Sequence, residues 1–284
     1  MTNMVLWYTD IHLDYMGNVR AGYYFAKYIK EECPDIDGII LTGDIANGNT
    51  VSNYLEQMAE EFGVPIFCVL GNHDYHHSDF DTIDKKVNNI KHDNFHWLNN
   101  GFKSIKGFAI CGVGGWYDAS FGDINTKFMM PDFYDMIAFS NHINDRENIL
   151  QISRKRAQKD ADKLKEQLFE AVKYHDNIIV ATHVPPYYES AWYKGKRSDK
   201  YAVPWFVSKA TGDVIDEVAS INKDKKFTVL CGHTHHPGIY HKDNITVATG
   251  KSIIKNPNMS GELFLDKKYM WSYNTSESRV EFDL

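Results

Sequence analysis

A chain of 284 residues that is 43% hydrophobic and 24% charged can bury a full core, as one large domain or two small ones. Its formal net charge of −7 excludes a generally basic surface that would hold a polyanion by counterion release. No apolar run approaches the ~18 residues a membrane span needs, and the first eight residues have neither a basic leader nor a long apolar core, so no signal peptide is expected.

Residues 4–8 form an apolar strand run that ends in Thr9-Asp10-Ile11-His12. Over 20–32, Tyr24, Ala26, Tyr28 and Ile29 lie on a roughly helical face that Pro34 closes. A strand over 36–41 opens into Gly43-Asp44-Ile45-Ala46-Asn47. The spacing of Val51, Tyr54, Leu55, Met58 and Phe62 predicts a helix over 51–62, and a strand over 65–70 opens into Gly71-Asn72-His73-Asp74. Three strand–loop–helix units in succession predict right-handed crossovers and parallel neighbours. Asp10, Asp44 and Asn72 then share the rim of strand C-terminal ends, where ligand sites form.

Residues 80–91 read as a helix, and 95–98, 102–105 and 108–113 as short strands. The stretch 114–148 has no clear period, as expected of a lid or functional loop, or else of a helix that the spacing does not reveal. A helix over 153–175 places Ala157, Ala161, Leu164, Leu168 and Val172 on one face, its charged remainder being solvated. A strand over 178–181 leads to Thr182-His183; an irregular stretch over 185–207 follows, then a helix over 212–221. A strand over 227–231 leads to Gly232-His233-Thr234-His235, and 238–241, 245–248, 262–265 and 270–273 read as a closing antiparallel set. There is no repeat, low-complexity tract or linker, so one domain over 1–284 with inserted loops near 114–150 and 185–210 is expected. Cys68, Cys111 and Cys231 lie inside strand runs and Cys33 stands apart, with no CxxC pair. Buried reduced thiols, and hence a reducing cytoplasmic setting, follow.

Five motifs thus end strand-like runs with oxygen or imidazole donors. Two divalent metals about 3.5 Å apart need a bridging carboxylate and terminal ligands on each ion. Asp10 and His12 are spaced i, i+2, so both can point to one side of an extended strand end, and His233 and His235 repeat that spacing. His183 and Asn72 are single ligands, and Asp44 is the remaining carboxylate suited to bridge. Such a mixture suits Mn, Fe, Zn or Ni better than calcium or a thiolate zinc site.

In this order Asp-x-His, Gly-Asp, Gly-Asn-His-Asp, Thr-His and Gly-His-Thr-His resemble the calcineurin-like metallophosphoesterase superfamily, from Asp10 to His235. The resemblance implies an α/β fold: a four-layer α/β/β/α sandwich of two mixed sheets flanked by helices, with two divalent metal ions at the rim. It implies that Asp10, His12 and His235 hold one metal, that Asn72, His183 and His233 hold the other, and that Asp44 bridges them. It also implies that His73 is no ligand but catalytic, steadying the phosphate or protonating the leaving oxygen while a metal-bridging hydroxide attacks phosphorus.

Asn47 stands where the Ser/Thr protein phosphatases of that superfamily have an aspartate, and Asn47-Gly48-Asn49 replaces their Asp-Arg-Gly. The purple acid phosphatases lack the first-motif histidine. The chain resembles instead the broad branch of small-molecule phosphodiesterases, phosphatases and nucleases. A small phosphodiester or phosphomonoester such as a nucleotide is the expected substrate; the acidic net charge disfavours nucleic acid, and no membrane partner is expected. An inactive metal-binding scaffold is the reading from another class, and the oligomeric state is left open. Asn47, Trp116, Tyr187, Trp192 and Arg197 are candidate substrate contacts: aromatics on such loops can stack a nucleobase, and Lys194, Lys196, Arg197 and Lys200 form a local basic patch. Packing of the loops and a solvated surface are the plainer readings of the same residues. The other eight histidines, His76 and His77 among them, are read as surface or core residues, and Asp74 as a structural carboxylate.

Overall fold

The computed structural model describes residues 5–252 and the backbone of 272–274 and 279–281. Alternation between strand and helix begins at once, because apolar spacing along the chain switches between a period of two and one of about 3.6. β1 (Val5–Tyr8), α1 (Ala21–Glu32), β2 (Gly38–Thr42), α2 (Val51–Phe62), β3 (Ile66–Val69), α3 (Phe80–Asn88) and β4 (Phe95–Trp97) follow in order. These strands pair in sequence order and in parallel, with Leu6 opposite Ile39, Ile40 opposite Phe67 and Cys68 opposite Trp97.

The second half continues with β5 (Lys103–Ile105), β6 (Phe108–Gly112), α4 (Asp132–Asp135), α5 (Ile137–Ser140), α6 (Arg146–Ala171) and β7 (Asn177–Ala181). A small hairpin of β8 (Trp192–Tyr193) and β9 (Lys196–Arg197) precedes α7 (Lys209–Ile221), β10 (Lys226–Cys231), β11 (Gly238–Lys242) and β12 (Ile245–Thr249). The sheet order is β11-β12-β10-β7-β6-β5, parallel in its centre and antiparallel at both edges. β13 (Ser272–Asn274) and β14 (Arg279–Glu281) pair antiparallel.

Alternate residues of each central strand serve different cores. Val5, Trp7, Ile40 and Phe67 meet Ile110, Ile179, Leu230 and Ala248 between the sheets. Their neighbours Leu6, Ile39, Leu41 and Cys68 face outward onto Phe25, Ile29, Leu55 and Met58 of α1 and α2. Likewise Cys111, Val180, Val229 and Val247 pack on Leu164, Leu168, Ile215 and Val218 of α6 and α7. Burial on both faces explains why these strands read as unbroken apolar runs. The result is an α/β/β/α sandwich; among the described strands the first sheet is parallel throughout and the second carries the mixture.

Several bounds differ from the sequence reading for identifiable reasons. α6 begins at Arg146 because the Asp145 carboxylate caps it, accepting from the Asn148 N–H at 3.1 Å, and Ile149 and Leu150 bury its first turn. β11 and β12 form the expected antiparallel pair, but β12 also joins the large sheet by running parallel to β10, which the expected closing set did not include. The expected strand over 262–265 lies outside the described residues. The stretches 114–150 and 185–210 are stitched together: Asp118, Ala119 and Asp123 N–H donate to the carbonyls of Val207, Pro204 and Lys200 at 3.3, 3.1 and 2.8 Å.

Helices α1 and α2 meet at Gly22, where a Cβ would fall 2.3 Å from the Tyr54 carbonyl oxygen. Glycine-to-alanine changes inside helices ordinarily stabilise. Here Gly22→Ala forces two packed backbones apart and is expected to lower stability by about 1–3 kcal/mol, read as a lower denaturation midpoint with an unchanged slope.

Candidate metal centre

Five strands deliver the site. Asp10 and His12 follow β1, Asp44 follows β2, Asn72 and His73 follow β3, His183 follows β7, and His233 and His235 follow β10. Asp10, His12, Asp44, His233 and His235 all have left-handed backbones, with φ of 52°, 42°, 51°, 67° and 58°. Non-glycine residues rarely adopt that region, at a cost of roughly 1–3 kcal/mol each. Bonds between loops hold them there: Asp10 N–H donates to the Gly43 carbonyl at 3.1 Å, and His12 N–H to that of Asp44 at 2.9 Å. The Asp74 carboxylate accepts from the N–H groups of Ile45 and Ala46 at 2.9 Å and of Gly71 at 2.8 Å, tying the second loop to the third.

His183 Nδ1 lies 2.9 Å from the Thr42 carbonyl oxygen, which can only accept, so the ring proton is on Nδ1. Its unprotonated Nε2 then faces Asn72 Oδ1 at 3.0 Å and Asp44 Oδ1 at 3.2 Å. Asn72 presents its oxygen because its amide nitrogen donates to Asp132 Oδ1 at 2.8 Å. His233 Nε2 is committed in the same way to the Trp205 carbonyl at 2.8 Å, which leaves Nδ1 for the centre. On the other side, His235 Nε2 lies 3.2 Å from Asp10 Oδ1 and 3.3 Å from His12 Nε2, which is 3.7 Å from Asp44 Oδ2. The donor atoms form two groups: Asp10, His12, Asp44 and His235, and Asp44, His183 and His233. Asp44 belongs to both.

The electrostatics suit a cation. Burial pushes the Asp44 carboxyl well above its ordinary range, and the neighbouring Asp10 adds to this. Burial acts in the same direction on Asp10, but His235 beside it holds that carboxyl low. Burial depresses the imidazoles of His183, of His12 to about 3 and of His233 to about 4, so their lone pairs are free near neutral pH. Burial opposes charge on His235 too, yet Asp10 raises it to about 9. Carboxylates, neutral imidazoles and an amide oxygen converging in this way fit a divalent metal ion.

A family model described as calcineurin-like phosphoesterase matches residues 4–237. The chain belongs to the calcineurin-like phosphoesterase family. No curated relative matches it. Among solved structures, the phosphopantetheinyl hydrolase PptH of Mycobacterium tuberculosis aligns with a TM-score of 0.67 and 14% identity over 95% of each chain. TT1561 of Thermus thermophilus gives a TM-score of 0.54 at 14% identity, over 99% of this chain and 98% of that one. GAP50, the anchor in the inner membrane complex of Plasmodium, gives 0.50 at 17% identity, over 98% and 86%. These likenesses show the fold. Membership in a calcineurin-like phosphoesterase family implies phosphoester hydrolysis at a metal site.

Against that background, the support of the centre is where sequence reasoning fell short. Asp132, wholly buried at the start of α4, accepts from Asn72, from His76 Nε2 at 2.8 Å and from the Tyr117 hydroxyl at 2.9 Å. His76, read from sequence as an ordinary histidine, packs its ring against that of His73, 4.2 Å between centroids. Arg156 of α6 donates to the Tyr75 hydroxyl at 2.8 Å and to Asp84 at 3.0 Å, clamping the turn that carries His73. Asp132 lies in a stretch without period, and the Pro131-Asp132 pair opening α4 is its one local signal.

The five candidate substrate contacts separate. A cavity of about 440 Å³ opens at Asp44, Asn72, His73, His233 and His235, and Trp192 lines it. Trp116 is buried against Tyr75, Phe80 and Phe139, and Tyr187 donates its hydroxyl to Asp216 at 3.0 Å beside α7. Asn47 donates to Asp14 at 3.1 Å and accepts from the Asn49 N–H at 3.0 Å. The Arg197 guanidinium lies over the Trp192 ring, 3.7 Å from its centroid. Neither Trp116, Tyr187, Asn47 nor Arg197 is among the described residues lining the cavity.

Without Asp132 the Asn72 amide is free to flip. Asp132→Ala is expected to weaken Mn²⁺ binding about 10–100-fold, measured by calorimetry on protein whose circular dichroism is unchanged.

Proposed function

We propose that the chain hydrolyses a small phosphodiester or phosphomonoester, of nucleotide size, with two divalent metal ions of the Mn, Fe, Zn or Ni class. Asp10, His12 and His235 would hold one, Asn72, His183 and His233 the other, and Asp44 both. The observation that carries this reading is the pair of donor groups sharing Asp44 at the mouth of a cavity. Bound there, such ions supply an ionised water near neutral pH and charge neutralisation at phosphorus.

The chain's own contribution is orientation. Asp44 Oδ1 accepts from the His73 N–H at 2.9 Å, so the proposed bridging carboxylate also fixes the backbone of the neighbouring catalytic candidate. His73 lines the cavity without belonging to either donor group. Burial first, then the imidazoles of His12 and His76, push its pKa well below the ordinary value, and cations beside it would add to that effect. A neutral His73 acts by donating its ring N–H to a phosphoryl oxygen, steadying charge as it develops. His76, itself bonded to Asp132, packs on that ring and holds it in place. Buried cysteines without a disulfide among the described residues support a reducing, cytoplasmic setting. No helix among the described residues is long and apolar enough to cross a membrane.

Turnover of bis-p-nitrophenyl phosphate and p-nitrophenyl phosphate with Mn²⁺, compared with and without chelator, tests the reading. Chelator-sensitive hydrolysis of either ester is expected, and the ratio of the two assigns the enzyme to diesters or monoesters. Failure of both esters with every divalent metal would sink it. His73→Ala should lower kcat by about 10²–10³ while metal content stays the same; an unchanged kcat would remove His73 from the reaction.

A further inference from the structure

The cavity beside the donor groups has a chemistry of its own. Phe128, Met130, Pro131, Ala202 and Phe206 give it an apolar wall that starts at the metal centre, the Phe206 ring lying 4.8 Å from that of His233 between centroids. Phe128 meets Phe206 edge to face at 6.0 Å, so the two rings make a continuous surface. Facing groups include Tyr193, Ser198 and Asp199.

Two features limit what can lie there. Trp192 has little free face to offer: Arg197 covers its ring, and a Cβ on Gly238 would come within 2.3 Å of its Cε2 and Nε1. Secondly, no lysine or arginine is among the described lining residues, whereas the carboxylate-bearing Asp199 is. Lys194 and Lys200 of the local basic patch lie over Tyr193 and Tyr201, at 5.2 and 5.0 Å from the ring centroids. Of the remaining lining groups, Tyr193, Ser198 and Thr234 are uncharged and burial lowers the His236 imidazole, so a second phosphate would meet the Asp199 carboxylate with no fixed cation to offset its desolvation.

We infer that this cavity is the subsite for the organic part of the substrate, and that it takes an uncharged, flat, unsaturated ring carrying a single phosphoryl group. The ring lies along Phe128 and Phe206 with its phosphoryl group at Asn72, His73, His233 and His235. Monophosphoesters or single diesters of an aromatic alcohol or a nucleoside have this chemistry; nucleoside polyphosphates and polynucleotides do not. The inference deepens the phosphoesterase reading and rests on it for the placement of the phosphoryl group.

Binding of phenylphosphonate and methylphosphonate to the full chain loaded with Mn²⁺, followed by calorimetry, tests the subsite without turnover. Phenylphosphonate is expected to bind roughly tenfold or more tightly than methylphosphonate, the discrimination an apolar pocket achieves for added apolar bulk. Phe128→Ala should remove most of that advantage and leave methylphosphonate unchanged. Ala202→Phe, which fills the slot from the other loop, should exclude phenylphosphonate alone. Equal affinities in the parent protein, no binding of either compound, or an intact preference in both variants overturns the inference. Ring-selective binding without hydrolysis of any ester would overturn the phosphoesterase reading and leave the subsite standing. Ester hydrolysis without ring preference would do the reverse.

Discussion

The structure depends on a repulsion. With the His183 proton fixed on Nδ1 by the Thr42 carbonyl, its Nε2 lone pair faces Asn72 Oδ1 at 3.0 Å and Asp44 Oδ1 at 3.2 Å, and none of the three can donate to another while Asp44 is ionised. Asp10 adds a second carboxylate to that of Asp44, and both are almost completely buried. A divalent ion would relieve such crowding, as would a proton on Asp44, whose carboxyl burial pushes well above its ordinary range. The left-handed backbones at five of the donor-bearing residues make the same point from the main chain. Strain on that scale persists where the neighbouring structure over-determines it. Here the over-determination comes from loop-to-loop hydrogen bonds and from Asp74, which fastens two of the loops together.

Around this centre, polar groups form layers. His183 and His233 are each oriented by a backbone carbonyl, Asn72 by Asp132, and Asp10 by the Thr9 hydroxyl at 2.7 Å and the His233 N–H at 3.1 Å. Asp132 then reaches His76 and Tyr117, so one carboxylate from the first inserted stretch steadies both Asn72 and, through His76, the ring of His73. Outer groups of this sort set the tautomer and direction of the inner ones. They also link the geometry of the centre to α4, and the Arg156 clamp links it to α6.

What the sequence disclosed depends on whether a local rule governed it. Val51, Tyr54, Leu55, Met58 and Phe62 announce α2 to its exact bounds, because its buried face obeys helical spacing. The donor residues were legible because each ends an apolar strand run, and the seven expected around the centre do come together. α6 starts at Arg146 and ends at Ala171, where the spacing predicts 153–175, because its first turn is set by a side-chain cap at Asp145 that the periodicity of Ala157 and Leu164 does not announce. The antiparallel pairing of β11 with β12 follows from their closeness in the chain, whereas the parallel pairing of β12 with the distant β10 is recorded by no property of Ile245–Thr249. Asp132 and His76 were missed for the same reason: their role is a meeting in space between segments that obey no period. Trp116 illustrates the converse, an aromatic on a promising loop whose partners Tyr75, Phe80 and Phe139 belong to the packing of the core.

The seam between the two inserted stretches has a consequence for how such proteins diverge. Asp118, Ala119 and Asp123 bond across it to Val207, Pro204 and Lys200, and Gly122, at φ 79°, leaves room for Val203 and the Lys200 carbonyl to press against its Cα. Transplanting either stretch alone into a relative would strand main-chain donors on one side and acceptors on the other. The two stretches therefore behave as one structural unit: exchanging both together keeps every bond across the seam, whereas replacing either half alone loosens it.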